Sequence, residues 1–170
     1  MHDLIRGKSV LELGSGTGLL GLVCSTIGAT ETLLTDMNKD VLNLLKINSK
    51  INSETAKCVS VKELDWFSDD DMSELKGKYD VIIGSDLVYD PDITPDFFKM
   101  LETLITDKKQ MAYIASTVRR EETYNQFTQL LESSAVLESS TMDITDLSPI
   151  FIQENSDCAV KLSIIALKQI

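Results

Sequence analysis

The run Val10-Leu11-Glu12-Leu13 closing on Gly14-Ser15-Gly16-Thr17-Gly18 constrains this chain more than any other segment. Residues 9–13 read as a buried strand. Gly14, Gly16 and Gly18 let the backbone turn tightly and approach a ligand with no Cβ in the way. A helix follows, with Leu19, Leu20, Leu22, Val23 and Ile27 as its apolar stripe and Gly28 as its stop. Strand, tight turn and helix make one βα unit, and the rest of the chain repeats the pattern. Residues 31–35 form a second strand ending at Asp36, and Asn38 caps a helix whose apolar face is Val41, Leu44, Leu45 and Ile51. Residues 57–64 alternate apolar and polar and end at Asp65-Trp66. An acidic turn with a short helix spans 68–78.

Residues 79–84 are the next buried strand, leading into Ser85-Asp86-Leu87-Val88-Tyr89. Thr94-Pro95-Asp96 starts a helix with a cap, a proline and an early acid. Its apolar face is Phe97, Phe98, Leu101, Leu104 and Ile105. A strand over 111–116 and a helix over 121–131 come next. The ending differs, because residues 135–140 and 159–167 read as strands with no helix between them. They predict an antiparallel pair at one edge, joined by a long loop over 141–158 that could grip a protein substrate.

Alternating strands and helices with short joins predict an α/β fold, a doubly wound and mostly parallel sheet with helices on both faces. The length of 170 residues fits one domain over 1–170. In such sheets ligands bind beyond the carboxyl ends of the strands, where strand order reverses. Residues 14–18, Asp36, Asp65-Trp66 and 85–89 all fall at such ends, and that coincidence marks the site.

Charge and composition narrow the functions. Acids outnumber bases 27 to 16, a net charge of −11 that repels a phosphate backbone, so a direct nucleic-acid partner is not expected. A basic protein or a cationic small molecule suits this field better. No run approaches the roughly 20 apolar residues of a membrane span, and residues 1–8, mostly polar, do not resemble a secretory leader. Three widely spaced cysteines, Cys24, Cys58 and Cys158, fit a reducing, cytoplasmic setting as inert core thiols. His2 is the only histidine, which argues against histidine triads, histidine bases and histidine-rich metal sites.

Gly16-x-Gly18-x-x-Gly21 also satisfies the dinucleotide pattern, which leaves a nicotinamide-dependent oxidoreductase as one reading. Glu12 favours a different ligand. Its carboxylate near the loop disfavours a pyrophosphate and can orient a cationic amino-acid group. Asp36 stands where a carboxylate can accept both ribose hydroxyls, and Trp66 can offer a flat face to a purine. Each also has a plainer role: Glu12 paired with a base, Asp36 as a turn or cap, Trp66 as a core aromatic.

Residues 10–21 resemble motif I of the class I, seven-stranded S-adenosylmethionine-dependent methyltransferases. Leu64-Asp65-Trp66 and Asp86-Leu87-Val88-Tyr89 resemble the protein-lysine methyltransferases that carry an Asp-x-x-Tyr motif. Ser116-Thr117-Val118-Arg119-Arg120-Glu121-Glu122-Thr123, followed by Phe127, is most similar to the elongation factor 2 lysine methyltransferases. The resemblance covers nearly the whole chain and implies a Rossmann-like sheet of seven strands. It implies S-adenosyl-L-methionine as cofactor, contacted by Glu12, Gly14, Ser15, Gly16, Asp36, Asp65, Trp66 and Ser85. Asp86 and Tyr89 become the catalytic pair, with Asp86 docking the incoming lysine and no metal involved. The implied partner is a protein substrate such as elongation factor 2.

Relatives carry helices and a second tryptophan ahead of the first strand, where this sequence has only residues 1–8. The expectation is a catalytic core alone, monomeric or weakly self-associating through apolar surface left uncovered. A non-catalytic interaction domain with the same fold is the alternative that this shortness keeps open.

Overall fold

The computed structural model describes residues 2–144 and 158–169. Its strands are β1 (Ser9–Leu13), β2 (Glu31–Asp36), β3 (Val59–Glu63), β4 (Val81–Ser85), β5 (Met111–Thr117), β6 (Leu137–Asp143) and β7 (Val160–Leu167). Its helices are α1 (His2–Ile5), α2 (Leu19–Thr26), α3 (Lys39–Ile51), α4 (Asp69–Leu75), α5 (Thr94–Leu104) and α6 (Glu121–Ser133). One sheet holds all seven strands in the order β3-β2-β1-β4-β5-β7-β6. The first five of these run parallel. The last two form the antiparallel edge, with Ile114 opposite Ser163 and Ser140 opposite Ile164. The expected α/β architecture is therefore present, and strand order reverses between β1 and β4. Most of the loop expected over 141–158 lies outside the described residues.

β1 sits mid-sheet because it is apolar on both faces: Val10, Leu11 and Leu13 are wholly buried. Its start is pinned to the start of β4. The Ser9 amide and hydroxyl both donate to Asp80 Oδ2, at 2.9 and 3.0 Å, and the Asp80 amide donates back to Ser9 Oγ. The larger core lies on the α5–α6 side, where Phe97 packs between Trp66 and Phe127 with ring centroids 5.1 and 5.6 Å apart.

The helices on the other face depart from the expected stripes. In α2 the buried residues are Gly21, Cys24 and Ser25, while Leu19 is 71% exposed and Val23 is also exposed. The small side chains decide this, because they let the helix lie close on β1 and β2, so that Leu19 and Val23 project outward while Leu20 and Ile27 still pack against the core. In α3 the buried pair is Leu42 and Leu45, and Leu44 and Ile51 face outward. Asn38 caps α3 as its sequence predicts, accepting from the Asp40 and Val41 amides. Thr94 does not cap α5. It is the first helical residue, fully buried, and its hydroxyl donates to the Asp90 carbonyl at 2.7 Å. Of the three cysteines only Cys24 belongs to the core, and Cys58 is exposed.

Candidate active site

The ends of β1, β2 and β4 and the loop after β3 meet around one open cleft. Gly14, Asp36, Met37, Trp66, Phe67, Ser85, Asp86, Leu87, Tyr89 and Ile93 line it. Six of these were predicted from sequence: Gly14, Asp36, Trp66, Ser85, Asp86 and Tyr89. The apolar members Met37, Phe67, Leu87 and Ile93 carry no chemical signature in a sequence, and only their place in the fold reveals them. Glu12, Ser15, Gly16 and Asp65 do not line the cleft, and their side chains or amides build its frame instead.

The frame begins at the glycine loop. Gly14, Gly16 and Gly18 all adopt positive φ. At Gly14 this combines with crowding, since a Cβ there would sit 2.5 Å from Leu87 Cδ2. Ser15 ties the loop to β2. Its amide donates to the Thr35 carbonyl at 2.8 Å, and its hydroxyl donates to the Glu12 carbonyl and accepts from the Thr35 amide. The Gly16 amide donates to Asp36 Oδ2 at 3.3 Å, and Asp36 Oδ1 accepts from the Asn38 amide at 3.0 Å. Asp36 is thus both the loop's anchor and a wall of the cleft.

Glu12 faces away from that wall. Only 4% exposed, it accepts from the Gly21 amide at 3.1 Å under the start of α2. Burial pushes its carboxyl up to about 7, against the lowering by Ser15 and the Gly21 amide. The Cys24 thiol lies nearby, pushed up to about 11 by burial and by Glu12, which keeps it an unreactive thiol at neutral pH. Asp65 closes a tight turn, accepting from the Phe67 amide at 2.9 Å, and so presents Trp66 and Phe67 to the cleft.

On the opposite wall, Asp86 has φ of 56°, the one described non-glycine residue at positive φ. Aspartate tolerates the left-handed region better than most residues. The turn carries its carboxylate across to the end of β5, where Oδ1 accepts from the Thr117 amide at 2.8 Å and Oδ2 from Arg119 at 2.9 Å. Burial raises this carboxyl, but the Thr117 and Arg119 hydrogen bonds outweigh burial and hold it below the usual carboxylate range. Arg119 stands inside the 116–123 segment, where the sequence marked only a family likeness and not a site residue.

A cleft with bare backbone at one glycine, a fixed carboxylate at the next strand end and a flat aromatic beside it fits a nucleoside with a free ribose diol. Among the described residues no group of acids, cysteines and histidines could hold a metal ion, and no helix is long and apolar enough to cross a membrane.

Comparison with known proteins agrees with this geometry. The chain is 34% identical over 128 residues to a calmodulin-lysine N-methyltransferase of Arabidopsis thaliana, covering 74% of this chain and 42% of that protein. It is 34% identical over 136 residues to a protein N-lysine methyltransferase of Danio rerio, covering 79% and 61%. It therefore spans less than two thirds of the length of these relatives. The O-methyltransferase of Bacillus cereus, solved in complex with SAH, shares the fold with a TM-score of 0.70 at 12% identity, over 97% of this chain and 76% of that one. The family model described as lysine methyltransferase matches residues 2–134, and the chain belongs to that family.

Proposed function

We propose that this chain binds S-adenosyl-L-methionine in the cleft and transfers its methyl group to a lysine side chain of a protein. Bound there, the cofactor supplies an electrophilic methyl on a positively charged sulfur. The observation that carries the proposal is the meeting of Asp36, Trp66, Asp86 and Tyr89 around one cleft, although they stand on three separate strand-end segments.

The roles follow from chemistry. Asp36 holds the ribose hydroxyls, and the Gly14–Gly16 backbone lies along the amino-acid portion. Trp66 packs by the adenine, and Ser85 lines the pocket floor. Glu12, Ser15 and Asp65 serve binding indirectly, by shaping the loops. Asp86 and Tyr89 receive the lysine. Its amine has a pKa of about 10.4, so making it neutral at pH 7 costs about 4–5 kcal/mol. The neutral amine's lone pair forms the new N–C bond as the S–C bond breaks onto sulfur. S-adenosylhomocysteine leaves, and the proton lost before attack passes to water. Alignment of amine and methyl is the main rate advantage the cleft can offer.

Elongation factor 2, or another cytoplasmic protein, is the substrate proposed. The similarity of residues 116–123 to that branch supports it, and the surplus of acids suits a basic lysine-bearing segment. The test is to incubate the protein with methyl-labelled cofactor and a eukaryotic cell extract, then identify the labelled band. Label on a lysine of one protein is the expected result. Binding of S-adenosylhomocysteine without any label would favour an interaction domain instead, and binding of a nicotinamide cofactor alone would favour an oxidoreductase.

A further inference from the structure

The cleft poses an electrostatic problem that Asp86 alone makes worse. A bare carboxylate beside the incoming lysine stabilises the ammonium, which cannot attack a methyl group. The pairing of Asp86 with Arg119 answers it. We propose that Arg119 is a positioning residue for the transfer: it holds Asp86 in an ion pair, so that the carboxylate can dock the lysine without keeping it protonated. This inference rests on the proposed methyl-transfer reading of the cleft.

Three observations support it. Arg119 reaches Asp86 Oδ2 at 2.9 Å while the Thr117 amide takes Oδ1 at 2.8 Å, so the carboxylate is fixed at both oxygens from the end of β5. The left-handed turn at Asp86 is the backbone cost of reaching those partners. The pair is also part exposed, with side-chain exposures of 57% for Arg119 and 39% for Asp86, so an incoming amine can approach the lone pairs left on the carboxylate.

The surrounding charges point the same way. The cleft's other ionisable groups are Asp36 from the end of β2 and Tyr89 from the loop that holds Asp86, while the loop after β3 lines it with the uncharged Trp66 and Phe67. Arg119 is the charge that acts on Asp86. A guanidinium stays protonated across the working pH range. An amine bound to the same carboxylate therefore lies within about 4–6 Å of a permanent positive charge, which favours its neutral form.

The test compares wild type, Arg119→Gln and Arg119→Lys by initial rate of methyl-label transfer to cell-extract proteins between pH 6 and 9.5. Far-ultraviolet circular dichroism and the thermal midpoint check the fold of each variant. Arg119→Gln should lose roughly tenfold or more at pH 7, with the acid limb of its profile moved up by about one unit. That loss should shrink toward pH 9.5, where a growing share of the amine is neutral without help, and Arg119→Lys should recover most of the neutral-pH rate. An equal loss at every pH would mean that Arg119 only supports the backbone, and would overturn the inference. So would a gain in rate with a lower KM, which would make Arg119 a stand-in for the substrate lysine. A wild type that transfers no label overturns the methyl-transfer reading itself, an outcome separate from a wild type that works and a variant with an unshifted limb.

Discussion

Glu12 Oε2 accepts a hydrogen bond from the Gly21 amide at 3.1 Å, joining the C-terminal end of β1 to the first turn of α2 beside the glycine loop. Burial pushes this carboxyl up to about 7 from an ordinary 4.5. An acid raised in the folded state keeps its proton while the unfolded chain has already lost its own. Stability is then highest below pH 4.5 for this group and falls as pH rises to about 7, by an amount on the order of 3 kcal/mol. Glu12→Gln should remove that slope while its amide oxygen still accepts from Gly21. Urea midpoints between pH 5 and 8 test this. A wild type and variant with parallel profiles would show that Glu12 does not titrate in this window.

Gly21 makes the same junction steric. A Cβ there would lie 2.2 Å from Leu34 Cδ2 and 2.7 Å from Glu12 Oε2, with Thr32 Cγ2 at 3.2 Å. Leu34 and Thr32 are fully buried, so neither can step aside cheaply. Gly21→Ala should therefore destabilise the fold by about 1–3 kcal/mol, although alanine favours helix. Chemical denaturation reads this directly, and a neutral or stabilising outcome would mean that α2 can lift from the sheet.

The same junction shows what a sequence can and cannot disclose. The strand periodicity and the glycine loop predict the βα order and Gly14 of the cleft, the strand-end acids and aromatics mark Asp36, Trp66, Asp86 and Tyr89, and the family likeness adds Ser85. The buried faces of α2 and α3 are legible only in part: Leu20, Ile27, Val41 and Leu45 pack inward as expected, while Leu19, Leu44 and Ile51 do not, because the faces follow how closely the helices approach the sheet. That depends on Gly21, Cys24 and Ser25 being small and on Leu42 and Leu45 turning inward, not on where leucines cluster. Arg119 was hidden for a related reason. Its partner Asp86 is 33 residues away in sequence, and only the adjacency of β4 and β5 brings them together. The place of Glu12 in β1, close to the loop, suggests a ligand group, but the side chain is buried under α2 on the Gly21 amide.

Asp36 is fixed before any ligand arrives, with one oxygen on the Gly16 amide and the other on the Asn38 amide. Each oxygen keeps a second acceptor direction for a ribose hydroxyl. Hydrogen bonds to a charged group contribute about 1.5–3 kcal/mol. Asp36→Ala should therefore weaken S-adenosylhomocysteine binding by roughly tenfold to a hundredfold. Isothermal calorimetry supplies the measurement, and an unchanged dissociation constant would remove Asp36 from the binding site.

Asp86 separates binding from transfer. It touches the cleft opposite Asp36, so its loss should leave S-adenosylhomocysteine affinity within a few-fold while label transfer to protein disappears. Alanine is an impure probe, because at φ of 56° a Cβ-bearing residue without a polar side chain adds strain of about 1–2 kcal/mol. Asparagine tolerates that conformation and can still accept from the Thr117 amide, but it carries no charge for Arg119 or for a lysine. Asp86→Asn should thus fold and bind S-adenosylhomocysteine yet transfer at most about a thirtieth of the wild-type label, since truncating one side of a charged pair commonly costs about 2–5 kcal/mol. Stability supplies an independent check with its own sign. Asp86 is held below the usual carboxylate range, so its pairing stabilises the fold above that range and is lost as pH falls through its depressed value. The variant should lack this acid-side decline. Transfer by Asp86→Asn at the wild-type rate would place the lysine elsewhere in the cleft, with Tyr89 as the remaining wall to probe.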